Sequence, residues 1–418
     1  MQKISSEKFN NKCICTQYML CCLMVILAIL NQTAIYSALF MVSFVVVLAM
    51  LFFNMDRYTT SEFALLVAVV IVPFINVCIN GFVNIDKSNI SFNYFKKYIM
   101  YCAAIIYISL CSKICLNTQT RKFFKILTII LSCSVIFLFF IKGDELYLYN
   151  GRKSDYLVFN FGNPNAAGIY LTAMALTVLS VTSYINGAIK KAIVIVIGLF
   201  LCYLVTLTQC RNAEIVIMMF FIVKLFYGFK NHFAKRRIFP RWVIICVVFA
   251  PILFAVIYMS LIDNETVVEA LKFLSSEGKG VDSREKIWRA AFAFFDNSPI
   301  FGAYSEISGG GDMSQMHNSH VDVLASYGIL PFFLMLFYLS EILLHVNSEI
   351  KLSKQITFFI AFICMILIGC CEAVLFSGGI LYIFAGCFLA NIKQSNKDAQ
   401  VVSENDGKES TLKLCLQK

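Results

Sequence analysis

Charge is what this chain most lacks. Charged residues make up 14% of its 418, where soluble domains carry about 25%. A chain so poor in charge cannot cover a water-facing surface of the usual kind, and it is too apolar to remain a solvated coil. Hydrophobic residues reach 59%, Phe alone occurs 40 times, and the mean hydropathy is +0.77. The length would ordinarily suggest two or three soluble domains at roughly 150 residues each. This composition points instead to an all-α polytopic integral membrane protein.

Other absences narrow the class. The 17 cysteines contain no pair at zinc-ligand spacing, and most, such as Cys21, Cys22, Cys102 and Cys364, lie inside apolar runs as small hydrophobes. Neither a disulfide framework nor a metal cluster is expected, and no cofactor is called for. Ala-x-Ala chemistry is missing after the first apolar run, so no cleavable signal peptide is expected. No internal repeat or pair of Gly/Pro-interrupted spans appears, which weakens a secondary-transporter reading. The Ser308–Asp312 glycine run lacks the Lys-Ser/Thr ending of a phosphate-binding loop. The formal net charge of +10 is spread between apolar runs, which argues for membrane orientation and against nucleic acid.

A helix crossing the hydrocarbon layer needs about 20 mostly apolar residues. About twelve runs qualify: 14–31, 34–53, 63–81, 98–116, 123–141, 166–185, 192–209, 213–227, 242–262, 321–345, 356–376 and 378–391. The stretch Gly369–Gly379 is open to reading as a loop or as a broken, re-entrant helix. Basic residues favour cytoplasmic loops. With the N-terminus inside, Arg57, Arg121, Lys122, Lys190, Lys191, the cluster at 230–241 and the Lys-containing tail all fall in the cytoplasm; Lys96 and Lys97 run against the bias. Both termini are therefore expected inside. The organisation is a membrane bundle over 1–262, a large external loop over 263–320, further spans over 321–391 and a cytoplasmic tail over 392–418.

Three polar features then share the external face: the loop Lys142–Asn165, the interruption Gln209–Glu214, and the segment Asp263–His320. Arg211 stands at a helix end between apolar runs. An arginine at mid-membrane costs about 2.5–3.5 kcal/mol and is a functional-site hypothesis by default; snorkelling, or pairing with Glu214, is the plainer alternative. Within the large loop, Asn264–Ser275 has helical apolar spacing. Asp282 and Glu285 form a capping-box pattern before a second helix, Ser283–Phe295. Arg284 lies in that helix's first turn, disfavoured by the dipole unless an anion binds there, and otherwise a solvated surface residue. His317 and His320 stand three apart before an apolar run. They suit proton transfer, a structural interface, or a zinc pair needing Asp312 or Asp322 as a third ligand.

Taken together, the pattern resembles the O-antigen ligase and O-antigen/capsular polysaccharide polymerase superfamily of bacterial envelope enzymes. The residues that carry the resemblance are Phe161-Gly162-Asn163-Pro164-Asn165, Thr208-Gln-Cys-Arg211-Asn-Ala, Asp282-Ser-Arg284-Glu-Lys-Ile-Trp288, Ser298-Pro299-Ile-Phe-Gly302, and His317-Asn318 through Tyr327-Gly328-Ile329. The resemblance implies a site built from Arg211, Arg284 and His317, with Asn163, Asn165, Asn318 and His320 contacting substrate. The chain departs from the family at Cys210 and Asn212, where serine and glycine commonly flank the arginine. It departs again at Ala303-Tyr304, and at His320, where an aromatic is usual.

The implied reaction is a metal-independent, inverting sugar transfer from a polyprenyl-pyrophosphate-linked oligosaccharide at the external face of a bacterial cytoplasmic membrane. The partners implied are that donor, a glycan acceptor, membrane lipid and a chain-length regulator. A lipid-linked repeat unit as acceptor would make the enzyme a polymerase, and a lipid core or protein acceptor would make it a ligase. A lipid-linked oligosaccharide flippase is the competing class. It would need charges lining a central cavity, whereas the apolar runs hold few, with Lys224 and Glu372 the exceptions.

Overall fold

The computed structural model describes residues 2–84, 92–149, 152–161, 163–228, 239–261, 282–304, 307, 316–350, 353–372, 374–376 and 380–393. Among them the chain is nearly all helix. The helices are α1 (Gln2–Ile29), α2 (Thr33–Phe52), α3 (Thr60–Asn84), α4 (Phe92–Lys113), α5 (Thr118–Lys142), α6 (Pro164–Val181) and α7 (Ala188–Thr208). They continue as α8 (Arg211–Gly228), α9 (Arg241–Leu261), α10 (Asp282–Asn297), α11 (Ser319–Tyr327), α12 (Ile329–Glu349), α13 (Ser353–Ile368) and α14 (Leu381–Ile392). Two strands of two residues, Leu148–Tyr149 and Arg152–Lys153, pair antiparallel in the loop after α5.

Among the described residues, nine helices are long and apolar enough to cross a membrane: α1–α7, α9 and α12. Large apolar side chains stay exposed along them, including Phe52, Phe82, Phe137, Val196, Leu253 and Phe337. So broad an apolar surface suits lipid and not water. The helices divide by burial. α6 and α4 are mostly enclosed, whereas α2, α3, α7 and α9 keep most of their span outward. Every residue of the short α14 is buried, and it packs against α1, α4, α6 and α13. At the end of the bundle where α14 stops, Arg121 donates to the Lys393 carbonyl, Tyr184 to that of Asn391, and Lys393 pairs with Glu349 at 3.0 Å.

The expected span 321–345 is broken in two. The chain turns at Gly328 (φ +86), separating the buried α11 from α12. Steric necessity explains the break. Gly328 packs against the turn Ser298–Gly302, where a β-carbon would fall 2.2 Å from the Ile300 carbonyl; one on Gly302 (φ +69) would fall 2.4 Å from the Ser326 carbonyl. Only glycine fits both positions. Main-chain bonds close the joint, Ala303 N–H to Ala325 and Ile329 N–H to Pro299, and Asn76 of α3 donates to the carbonyls of Ile300 and Tyr327. Two of the sequence motifs thus meet as a backbone-to-backbone hinge seat.

The run 356–376 also ends early. Helix α13 stops at Ile368 and Gly369–Glu372 turn back, so the last two apolar helices are short. The helix expected at Ser283–Phe295 is α10. The helix expected at Asn264–Ser275 lies outside the described residues, as do the side chains of Asp282 and Arg284.

Candidate functional site

Hydrogen bonds draw the expected site segments to one end of the bundle. Leu157, in the loop after α5, donates its N–H to the Leu207 carbonyl at 2.9 Å, which anchors that loop beside the α7–α8 turn. The turn itself is tight: Gln209 is left-handed (φ +52) and Cys210 is buried. Helix α6 reaches it because residue 168 is glycine, for a β-carbon there would sit 2.4 Å from that of Cys210. Arg211 then opens α8, its side chain exposed and with no hydrogen-bond or ion-pair partner among the described residues, so the alternative of a pairing with Glu214 is not made. Its neighbour Asn212 donates to the Ile368 carbonyl at 2.9 Å, fastening the start of α8 to the end of α13.

The turn that follows Ile368 carries Glu372, which is 6% exposed. Its Oε2 lies 2.9 Å from Nδ1 of His317. A ring nitrogen facing a carboxylate carries the proton, so Nε2 is left with the lone pair that can accept one. Three local features hold this geometry. His317 is left-handed (φ +46), a conformation an ordinary residue keeps only where its surroundings impose it. Asn318, fully buried, accepts from the N–H groups of His320 and Val321 as the α11 cap, and donates to the carbonyls of Pro251 and Cys370. Ser319 donates its hydroxyl to the Glu372 carbonyl and accepts from the Val374 N–H.

Helix α10 is attached to the same point. Trp288 is fully buried against Phe254 and Tyr258, and its indole N–H donates to the Met316 carbonyl at 2.8 Å, one residue before His317. Arg284 lies one helical turn before Trp288 in the main chain. Glu285, expected to reach back to the helix cap, instead accepts from Arg289 at 2.7 Å.

The remaining expected contacts divide. Asn163 caps α6, accepting from the Ala166 N–H at 2.7 Å, with Pro164 as the first helical residue. Asn165 lies half-buried in the first turn, its side chain without a hydrogen bond among the described residues. Asn318 has all four amide hydrogen-bonding positions engaged within the protein, which fixes the residue next to His317 in place. His320 is 1% exposed and donates Nε2–H to the Val248 carbonyl at 2.7 Å. Asp322 is taken up by Lys97 at 2.5 Å, and Asp312 lies outside the described residues. Among the described residues no three His, Cys, Asp or Glu side chains gather as metal ligands.

Sequence reasoning missed Glu372 as a site residue. Its signal was a single carboxylate inside an apolar run, where ionisable groups are costly and functional by default. It also missed Asn76, Lys97 and Ser319, whose partners lie far along the chain. No family model matches the chain, and no curated protein sequence matches it.

Proposed function

We propose that the protein is a membrane glycosyltransferase that polymerises lipid-linked repeat units of a bacterial envelope polysaccharide. The acceptor hydroxyl oxygen attacks the anomeric carbon of the donor sugar and gives its proton to Nε2 of His317. The bond from that carbon to the pyrophosphate oxygen breaks, and its electron pair leaves with the polyprenyl pyrophosphate. Attack from the face opposite the leaving group inverts the anomeric centre. Arg211 and Arg284 meet the charge that accumulates on the departing pyrophosphate, work suited to guanidinium groups because they bind phosphate oxygens in pairs. Glu372 fixes the His317 tautomer, and Asn318 and Ser319 hold the pair in place. A ligase acting on a different acceptor would use the same chemistry.

The observation that carries this reading is the carboxylate–imidazole pair at the end of the bundle where the Arg211 side chain stands without a partner among the described residues. In its full form the reading has twelve crossings, the nine long helices together with α8, α13 and α14. Both termini are then cytoplasmic and the site faces outward. This side suits a donor already carried across the membrane on a lipid.

The test is reconstitution of the purified chain with a lipid-linked repeat unit, followed by chain-length analysis on a gel. Arg211→Ala, Arg284→Ala and His317→Ala are each expected to abolish the ladder in folded protein. Undiminished ladders from all three would remove the proposed site.

A further inference from the structure

The turn that joins α10 to the α11 hinge carries two large apolar side chains that are exposed. Ile300 is 60% exposed and Phe301 41%. Water-facing turns are ordinarily polar, and their carbonyls are hydrated. Here the four carbonyls from Ser298 to Phe301 are each given a protein donor. Ser298 accepts from the Gly302 N–H, Pro299 from the Ile329 N–H, Ile300 from Asn76 and Phe301 from Asn80. Pro299 brings no N–H of its own.

Internal satisfaction of main-chain carbonyls is the condition for irregular backbone at membrane depth. The two asparagines also give a depth. Asn76 stands eight residues before the end of α3, so at about 1.5 Å per residue it lies roughly 12 Å below that end, with Asn80 about 6 Å below. Around this level the outward surface is already apolar: Phe74, Ile75 and Phe82 on α3, and Leu330 and Phe333 on α12. Ile300 and Phe301 continue that belt. Their own N–H groups have no acceptor among the described residues, which places the turn just below the headgroups, where lipid ester oxygens can accept.

We propose that Pro299-Ile300-Phe301 is a re-entrant turn embedded in the outer edge of the lipid acyl layer, with Asn76 and Asn80 serving as its internal donors. The partner is the bilayer itself. The turn fastens the end of α10, and so fixes the height of that helix against the membrane surface. This inference rests on the bilayer placement of α3 and α12 and is independent of the proposed chemistry.

A nitroxide carried by an encoded keto amino acid at position 300 tests the proposal in the full chain reconstituted in phosphatidylcholine vesicles, leaving the 17 native cysteines in place. Oxygen, which concentrates in lipid, is expected to relax the label more strongly than a water-soluble nickel chelate. Labels at Phe301, Phe82 and Phe333 should behave alike, and one at the exposed Lys96 should show the reverse. Nickel access at 300 and 301 with lipid-like behaviour at 82 and 333 would put the turn in water and overturn the proposal. Nickel access at all four would overturn it through its premise, the bilayer placement of α3 and α12.

Discussion

Nδ1 of His317 and Oε2 of Glu372 stand 2.9 Å apart although 55 residues separate them in the chain. The carboxylate dictates which ring nitrogen keeps its proton, and so which one faces a substrate. General-base catalysis by a positioned side chain contributes typically 10²–10⁴-fold. His317→Ala is therefore expected to lower the polymerisation rate by about that factor. Glu372→Ala, which frees the ring to rotate and change tautomer, should cost at least about tenfold. Glu372→Gln should fall between wild type and Glu372→Ala, since its amide oxygen can still accept from Nδ1–H. Initial rates with a lipid-linked repeat unit check the order; a Glu372→Ala enzyme at full rate would separate the pair from catalysis.

Arg211 is expected to matter for turnover and not for folding. It is exposed and makes no hydrogen bond or ion pair with the described residues, and substitutions at such positions change stability by within about 0.5 kcal/mol. Arg211→Ala should keep the parent melting temperature in detergent while losing activity. Arg211→Lys should recover little, because an ammonium cannot engage two phosphate oxygens with the planar fork of a guanidinium. A melting temperature that drops together with activity would make Arg211 a structural residue.

The proposed neutralisation of a leaving group by arginine also predicts a response to chelation. Activity in EDTA is expected to equal activity without it, measured on the same proteoliposomes. Loss on chelation, restored by a divalent ion, would transfer the leaving-group role from the two arginines to a metal.

Helix positions, and the end of the bundle at which the candidate site gathers, were legible in the sequence for a simple reason. Apolar runs of membrane length alternate with short polar connections, and Arg211, Asn163 and His317 each stand at the rim of such a run. Glu372 was legible only as an anomaly. A lone carboxylate inside 356–376 signals cost, but its partner is set by how α13 ends and how the next turn packs on α11. The break at Gly328 was hidden for a related reason. Apolar periodicity runs straight through 321–345, and the kink is imposed by the Ser298–Gly302 turn, which no local pattern connects to it. The family resemblance implied substrate contacts at Asn318 and His320; what no local pattern shows is that both side chains bond main-chain carbonyls far away in sequence, Pro251 and Cys370 for Asn318 and Val248 for His320.

Lys97 is one of the two basic residues that run against the charge bias, and Asp322 explains its position. Their charged atoms are 2.5 Å apart, with side chains 13% and 3% exposed. Removing one member of so enclosed a pair strands the other, at a cost of about 3–5 kcal/mol, whereas replacing both by apolar groups can be neutral. Asp322→Leu alone should lower the melting temperature sharply, and Lys97→Met with Asp322→Leu should recover most of the loss. Equal melting temperatures for the single and double variants would show that the pair is solvated and weak.

The joint between Gly302 and Gly328 makes the sharpest structural prediction, because two independent constraints act on the same atoms. Both residues have positive φ, which an L-residue with a β-carbon adopts at a cost of order 1–3 kcal/mol. Both also lie against main-chain carbonyls that cannot swing aside: the Gly302 contact is with Ser326 and the Gly328 contact with Ile300. Gly328→Ala is therefore expected to cost more than the conformational penalty alone, since the hinge must open to admit the methyl group. Opening it pulls Ile300 from Asn76 and shifts α11, whose first turn holds Asn318 beneath His317. Loss of both thermal stability and turnover is predicted for Gly302→Ala and Gly328→Ala. Gly187→Ala serves as the control: it also has positive φ (+93), but a β-carbon there meets nothing within 4 Å, so it should show only the smaller conformational cost. Equal melting temperatures for Gly328→Ala and Gly187→Ala would mean that the hinge yields freely and that α11 is not held by this contact.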